Sequence, residues 1–187
     1  MRSTSILNLA VALGLAACGG DDGLSTNLQA VYGVSTWTQN ATACDAEGAT
    51  VADLQDPFFY IKTESFFGES ILNVKQCDTV AECQMLARDK DTIHLGSFNF
   101  EEGSDAEGWT NRGGFAFSFQ GMCEGSIHEV RMTSTGSGVR IEDRRFEAVP
   151  FPADSSDECP DDKLEAAVAG QPCSELEVVT AAKTADF

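Results

Sequence analysis

Residues 113–121 read GGFAFSFQG, and this stretch decides the fold class. Phe115, Phe117 and Phe119 alternate with Ala116 and Ser118, so three rings share one face of an extended chain and two small residues share the other. A spacing of two is the strand period, and a helix would scatter these rings around its circumference. Gly113-Gly114 and Gly121 bracket the run as turn chemistry. Three adjacent rings on one side call for a core to cover them.

The same signature recurs on both sides of this stretch. Gln29–Asn40 is a strand with Val31, Gly33, Ser35 and Trp37 on one face and Tyr32 and Val34 on the other. Pro57–Thr63 and Ser70–Gln76 are strands either side of a turn at Gly68-Glu69-Ser70, and Thr92–Glu101 carries Phe98 and Phe100 at a spacing of two. Ile127–Thr135 and Gly138–Val149 form a hairpin through Gly136-Ser137-Gly138. In the second arm Val139 and Ile141 fall on odd positions but Phe146 and Ala148 on even ones. That phase change places a β-bulge near Asp143-Arg144.

Helix signals are local. Thr79-Val80-Ala81-Glu82 is a capping box opening a short helix to about Asp89. Ser174-Glu175-Leu176-Glu177 is a second box, and Pro160 opens a helix over Asp161–Ala169 that Gly170 stops. The fold class is therefore mainly β: an antiparallel barrel or sandwich with one short inserted helix and a C-terminal helical pair, stapled by disulfides. The short turns exclude parallel crossovers. The chain divides into residues 1–17, 18–27, a β domain over 28–152 and a helical clasp over 153–187 packed on it.

Charge narrows the partners. Thirty Asp and Glu against 12 Lys and Arg leave −18 over 187 residues, so a nucleic-acid backbone is excluded as a partner. Arg140, Arg144 and Arg145 alternate with Glu142, Asp143 and Glu147, which reads as cross-strand pairing rather than an anion site. Two acid-rich loops, Glu101–Glu107 and Asp154–Glu158 with Asp161-Asp162, lack the alternating Asp pattern of a calcium loop and read as solvated surface. Asn40-Ala41-Thr42 has the pattern of a sequon.

The N-terminus carries its own signal. Arg2 precedes an apolar run, Ile6–Ala17, which is too short for a permanent span and ends in Leu15-Ala16-Ala17-Cys18. These residues resemble the lipobox of bacterial lipoproteins. The resemblance implies a signal peptide over residues 1–17, acylation of Cys18, and a tether through Gly19-Gly20-Asp21-Asp22-Gly23. Gly19 in place of Asp favours the outer membrane, and the membrane partner is then the lipid on Cys18.

With Cys18 acylated, six cysteines remain in an oxidising compartment, where disulfides are the default. Their 15 possible connectivities are not resolved by counting. Cys77 and Cys83 flank the first turn of the Thr79 helix and are expected to pair. Cys159 and Cys173 stand at the two entrances of the helical pair, which leaves Cys44 with Cys123 by elimination. No cysteine pair has the gap of a zinc knuckle, so no metal site is read.

Gly33-Val34-Ser35-Thr36-Trp37 lies in the first strand, where lipocalins carry Gly-x-Trp, with a separation of four rather than two. The likeness is one of architecture, and it implies an eight-stranded barrel holding a small apolar ligand. Catalytic signatures are absent: there is no Gly-x-Ser-x-Gly, no His-Glu-x-x-His and no phosphate loop. His94 and His128 lie in separate strands without a motif. The expectation is a lipid-anchored envelope module, structural or binding, with no catalytic residue and no cofactor, and with a small-molecule or protein partner left open. The alternatives are a carrier of an apolar ligand and a secreted hydrolase using His94 or His128.

Overall fold

The computed structural model describes residues 24, 26–52, 54, 56–66, 69–89, 98–154 and 158–187. The signal segment, Cys18, the tether to Gly23, the turn at Gly68, His94 and residues 155–157 of the second acidic loop lie outside them. The described strands are β1 (Ala30–Asn40), β2 (Ala49–Thr50), β3 (Phe58–Phe66), β4 (Glu69–Cys77), β5 (Phe98–Phe100), β6 (Glu102–Ser104), β7 (Gly108–Phe119), β8 (Met122–Ser134), β9 (Gly138–Glu147), β10 (Phe151–Pro152) and β11 (Cys173–Ala185), with helices α1 (Val80–Arg88) and α2 (Asp161–Val168).

All strand pairs are antiparallel, in the order β5-β4-β3-β1-β11-β9-β8-β7-β6, with β2 on β1 and β10 on β8. The first and last long strands lie side by side, which curls the sheet into a nearly closed barrel. Its two free edges face each other, where the Asn111 side-chain amide donates to the Asn99 carbonyl across 2.5 Å. The core fills one half of the interior: Trp109, Phe100, Met132, Ile141, Leu72 and Ile61 are all at most 2% exposed.

The two helices cover the barrel's outside. Below α1, against its own Cys83 and Ala87, lie Val31, Tyr60 and Cys77, and below α2 lie Ile127, Cys123 and Phe151. Thr79 Oγ1 accepts from the Glu82 backbone N–H at 3.1 Å, the N-cap bond expected, while the Glu82 carboxylate reaches back one residue further and accepts from the Asp78 N–H at 2.9 Å. Cys77 and Cys83 are bridged across that first turn, with Cα atoms 5.5 Å apart.

Several sequence expectations are corrected. The Ser174 capping box opens no helix: Ser174–Glu177 belongs to β11, whose Val178-Val179-Thr180 is held between β1 and β9. Sheet pairing on both sides outweighs a local cap. The C-terminal pair is thus one helix and one central strand.

Two disulfides also differ. Cys173 pairs with Cys44, not Cys159, and Cys123 pairs with Cys159, not Cys44 (Cα–Cα 5.6 and 5.7 Å). Once β11 is a strand beside β1, the loop after β1 meets its start. The packing of α2 on β8 brings Cys159 to Cys123.

β9 carries no bulge against β8, for their register runs unbroken from Ser126↔Glu147 to Ser134↔Val139. Its phase change has another cause: Val139 and Ile141 face the barrel core, whereas Phe146 and Ala148 face the cluster under α2. The irregularities fall instead in the β9–β11 pair, between Cys173 and Glu175, and in the β1–β11 pair, between Val31 and Tyr32 and between Val34 and Thr36. The last of these turns Tyr32 and Trp37 toward the same core, while the missing side chain of Gly33 would meet Phe58 under α1. Gly33 and Trp37 therefore do not share a face.

Candidate functional site: the open mouth and its aromatic finger

β7 outgrows the barrel. Pairing with β8 runs from Trp109↔Met132 to Phe119↔Met122, and the two strands reverse through Gln120-Gly121. Both turn residues have positive φ, 53° and 76°, as a two-residue turn matched to strand twist requires. Along the inward face of β7, Trp109 is 1% exposed, yet Phe115, Phe117 and Phe119 are 69%, 49% and 61% exposed.

The expected core does not cover these rings. Strand period places them on one face but leaves the partner of that face undetermined. The core lies on the opposite side of the finger, where α2, Phe151 and the Cys123–Cys159 bridge pack against Ile127 and Ala116. The Phe115 and Phe117 ring centroids stand 6.2 Å apart. Three rings so exposed present roughly 350 Å² of apolar surface, the scale of a functional patch on a monomer.

The ladder runs into a polar mouth. Across β8, Phe117 stands opposite Glu124, Phe115 opposite Ser126 and Gly113 opposite His128. A Cβ at Gly113 would meet nothing within 4 Å, so open space lies beside the imidazole. His128 Nδ1 is 3.0 and 3.1 Å from the two carboxylate oxygens of Asp143. Trp37 Nε1 donates to Glu177 and the Gln39 amide donates to Glu175. Arg145 lies 2.9 Å from Glu147 and 3.6 Å from Glu175.

Strand register puts Glu124, Asp143, Glu147, Glu175 and Glu177 on this one face, with Arg145 and His128 as its basic groups. Burial pushes the Glu177 carboxyl above the ordinary carboxylate range. The hydrogen bond from Trp37 and the imidazole of His128 pull it back, and the charges of Asp143 and Glu175 add to the rise. The mouth face thus carries five carboxylates against two basic groups and is edged by exposed aromatic surface.

No hydroxyl or thiol among the described residues hydrogen-bonds to His128, and the six described cysteines are bridged. Nucleophilic hydrolysis needs such a contact. Among the described side chains, His128 Nδ1 is within hydrogen-bond distance of Asp143 alone.

The outside of β7–β9 carries a cleft of about 460 Å³ lined by Arg112, Glu129, Arg131, Glu142 and Arg144. Its cations are engaged: Arg112 with Glu129 and, at 2.7 Å, Glu165; Arg144 with Glu142 at 3.2 Å; Arg131 donates to the Glu107 carbonyl at 3.1 Å. Arg140 reaches Glu47 at 2.6 Å and Glu142 at 3.0 Å. The basic run of β9 is ion-paired, but mainly along its own strand rather than across strands as expected: Arg140 and Arg144 meet Glu142 and Arg145 meets Glu147, with Glu175 of β11 the cross-strand partner.

The first acidic loop serves the fold. Asp105 accepts from Thr26 Oγ1 (2.5 Å), the Asn27 N–H (2.6 Å) and Trp109 Nε1 (3.0 Å), latching the incoming chain to the closed end of the barrel. Among the described residues, no group of three or more His, Cys, Asp or Glu is placed to hold a metal ion, and no helix is long and apolar enough to cross a membrane.

Sequence reading named His128 but not its partner Asp143, nor Trp37, Glu124 and Glu177 as members of one site. One signal was available: a hairpin centred on Gly136-Ser137 sets His128 opposite Arg145, and hence diagonal to Asp143. No protein-family model, curated protein or solved structure matches the chain.

Proposed function

We propose that this chain is a lipid-anchored envelope module that binds, without catalysis, a cationic ligand bearing apolar groups at the barrel mouth. The observation that carries the reading is the exposed Phe115–Phe119 ladder running into the carboxylates of Glu124, Asp143, Glu175 and Glu177. Apolar surface supplies affinity, and the acids select the sign of charge. The filled inner half of the barrel, with Trp109 and Phe100 buried, favours this over an apolar carrier whose ligand sits inside.

Anchoring rests on Leu15-Ala16-Ala17-Cys18 and fits the polarity of the domain. The latch at Thr26 lies near Trp109, and the finger tip lies ten residues further along β7, roughly 33 Å away. A lipid on Cys18, eight residues before the latch, would tether the domain from the end where Thr26 meets Asp105.

Octylammonium and octanoate separate these readings in the mature chain carrying Cys18→Ser, with Trp37 fluorescence as readout. Octylammonium is expected to bind and octanoate not to. Equal binding of both supports the apolar carrier and overturns the cationic reading. Cys18→Ser is also expected to move the protein out of the membrane fraction, and retention there defeats the anchoring. The hydrolase reading has in its favour only the His128–Asp143 pair; ester hydrolysis that His128→Ala abolishes would establish it.

A further inference from the structure

We infer that the cation taken at this face is a quaternary ammonium, a trimethylated nitrogen on an apolar chain, seated over Glu124 among the rings of Phe115, Phe117 and Phe119. The inference rests on the cationic-ligand reading and specifies the class of cation and its seat. Strand pairing sets Glu124 directly opposite Phe117 and diagonal to Phe115 and Phe119, on the mouth face of the β7–β8 finger. Direct and diagonal cross-strand neighbours lie within reach of aromatic and long side chains, so three rings border one carboxylate.

Glu124 differs from the other acids of this face. Asp143 lies within hydrogen-bond distance of His128, Glu147 and Glu175 meet Arg145, and Glu177 accepts from Trp37. Among the described residues, no group hydrogen-bonds or ion-pairs with the Glu124 side chain, which is exposed. The acid left for a ligand is therefore the one that stands between the exposed rings.

These surroundings select the kind of cation. A primary ammonium brings three N–H donors and a guanidinium five. Of Phe115, Phe117, Phe119, Met122 and Glu124, which make the surface of the ladder, only Glu124 is a strong acceptor. Donors turned toward the rings would give up water and gain no partner. A quaternary ammonium has no donor to satisfy. Its methyl groups lie against the rings, whose quadrupole attracts the spread positive charge, and Glu124 supplies the counter-charge. A phosphocholine headgroup would carry its phosphate toward a face of five carboxylates, so the occupant is a free organic cation rather than a lipid headgroup.

The test uses the mature chain with Cys18→Ser, calorimetry, and four probes sharing one octyl chain: octyltrimethylammonium, octylammonium, octylphosphocholine and octanoate. Octyltrimethylammonium should bind about fivefold tighter than octylammonium, and tighter than octylphosphocholine. Glu124→Gln should weaken it about fivefold, whereas Glu107→Gln, which removes the same charge from the turn between β6 and β7, should leave it unchanged. Phe117→Leu keeps an apolar side chain without a ring face; it should weaken octyltrimethylammonium about threefold and leave octylammonium nearly unchanged. Circular dichroism checks that each variant is folded.

Equal binding of the two ammonium probes overturns the quaternary assignment and leaves the cationic reading in place. A Glu124→Gln variant that binds octyltrimethylammonium as Glu107→Gln does overturns the seat. Failure of both ammonium probes to bind overturns this inference and the cationic reading together. Tighter binding of octylphosphocholine than of octyltrimethylammonium overturns the free cation in favour of a lipid headgroup.

Discussion

Replacing Cys44 and Cys173 together by serine removes the bridge that closes the longest loop in the chain, 129 residues. The chain-entropy relation for cross-links gives about 5 kcal/mol for such a loop, about 4 for the 36-residue Cys123–Cys159 loop and about 2 for the 6-residue Cys77–Cys83 loop. A domain of this size has on the order of 5–15 kcal/mol in total, so the first pair alone takes it close to its limit. The cost has a local component at the mouth, because Cys173 begins β11 two residues before Glu175 and holds the loop after β1 beside it. Urea unfolding at 25 °C, read by circular dichroism, measures all three double substitutions. The expected order of loss is Cys44/Cys173, then Cys123/Cys159, then Cys77/Cys83. Equal losses for the longest and shortest loops would refute the reasoning, as would a non-reducing peptide map linking Cys44 to Cys123.

Other substitutions probe the remaining parts. Glu177 is raised above its ordinary value, so its native state holds a proton more tightly than the unfolded chain, and its contribution to stability falls as pH rises through that interval. Glu177→Gln keeps the acceptor for Trp37 without the charge; it should melt higher than the parent at pH 7 and equally at pH 3, and a lower melting point at pH 7 contradicts this. Burial pushes Asp105 up, but the hydrogen bonds from Thr26, Asn27 and Trp109 win and hold it below the usual range. Its stabilisation is therefore present above the unfolded value and lost as pH falls through the folded one, so Asp105→Asn should lower the melting point at pH 7 by a margin that shrinks with acidification. A Cβ at Gly125 would lie 2.3 Å from the Phe115 carbonyl oxygen and 2.8 Å from the Ala116 Cα. Gly125→Ala should cost about 1–3 kcal/mol in urea unfolding and raise amide exchange along the finger.

What the sequence made legible, and what it hid, follows from the range of each interaction. The alternating rings of Phe115–Phe119 announce a strand because period is local, but the element facing that strand is a global property, and the rings proved uncovered. Thr79 and Ser174 open equally good capping boxes. The first forms its helix because no strand competes for those residues, whereas β1 and β9 claim the second. Cys77–Cys83 was readable from one helical turn, while the other two bridges record which strands close the barrel and where α2 docks. The mouth was hidden for the same reason: Trp37, His128, Asp143 and Glu177 come from four strands, and a bulge after Val34 turns Trp37 inward.

The most direct measurement is a ¹⁵N–¹H NMR titration of the mature Cys18→Ser chain with octylammonium. Saturable shifts confined to Gly113–Phe119, Glu124, His128 and the Trp37 indole are the expected result. Shifts centred on α1 or on the Asp105 latch, or none at octylammonium concentrations up to millimolar, would contradict a binding face at the mouth and finger.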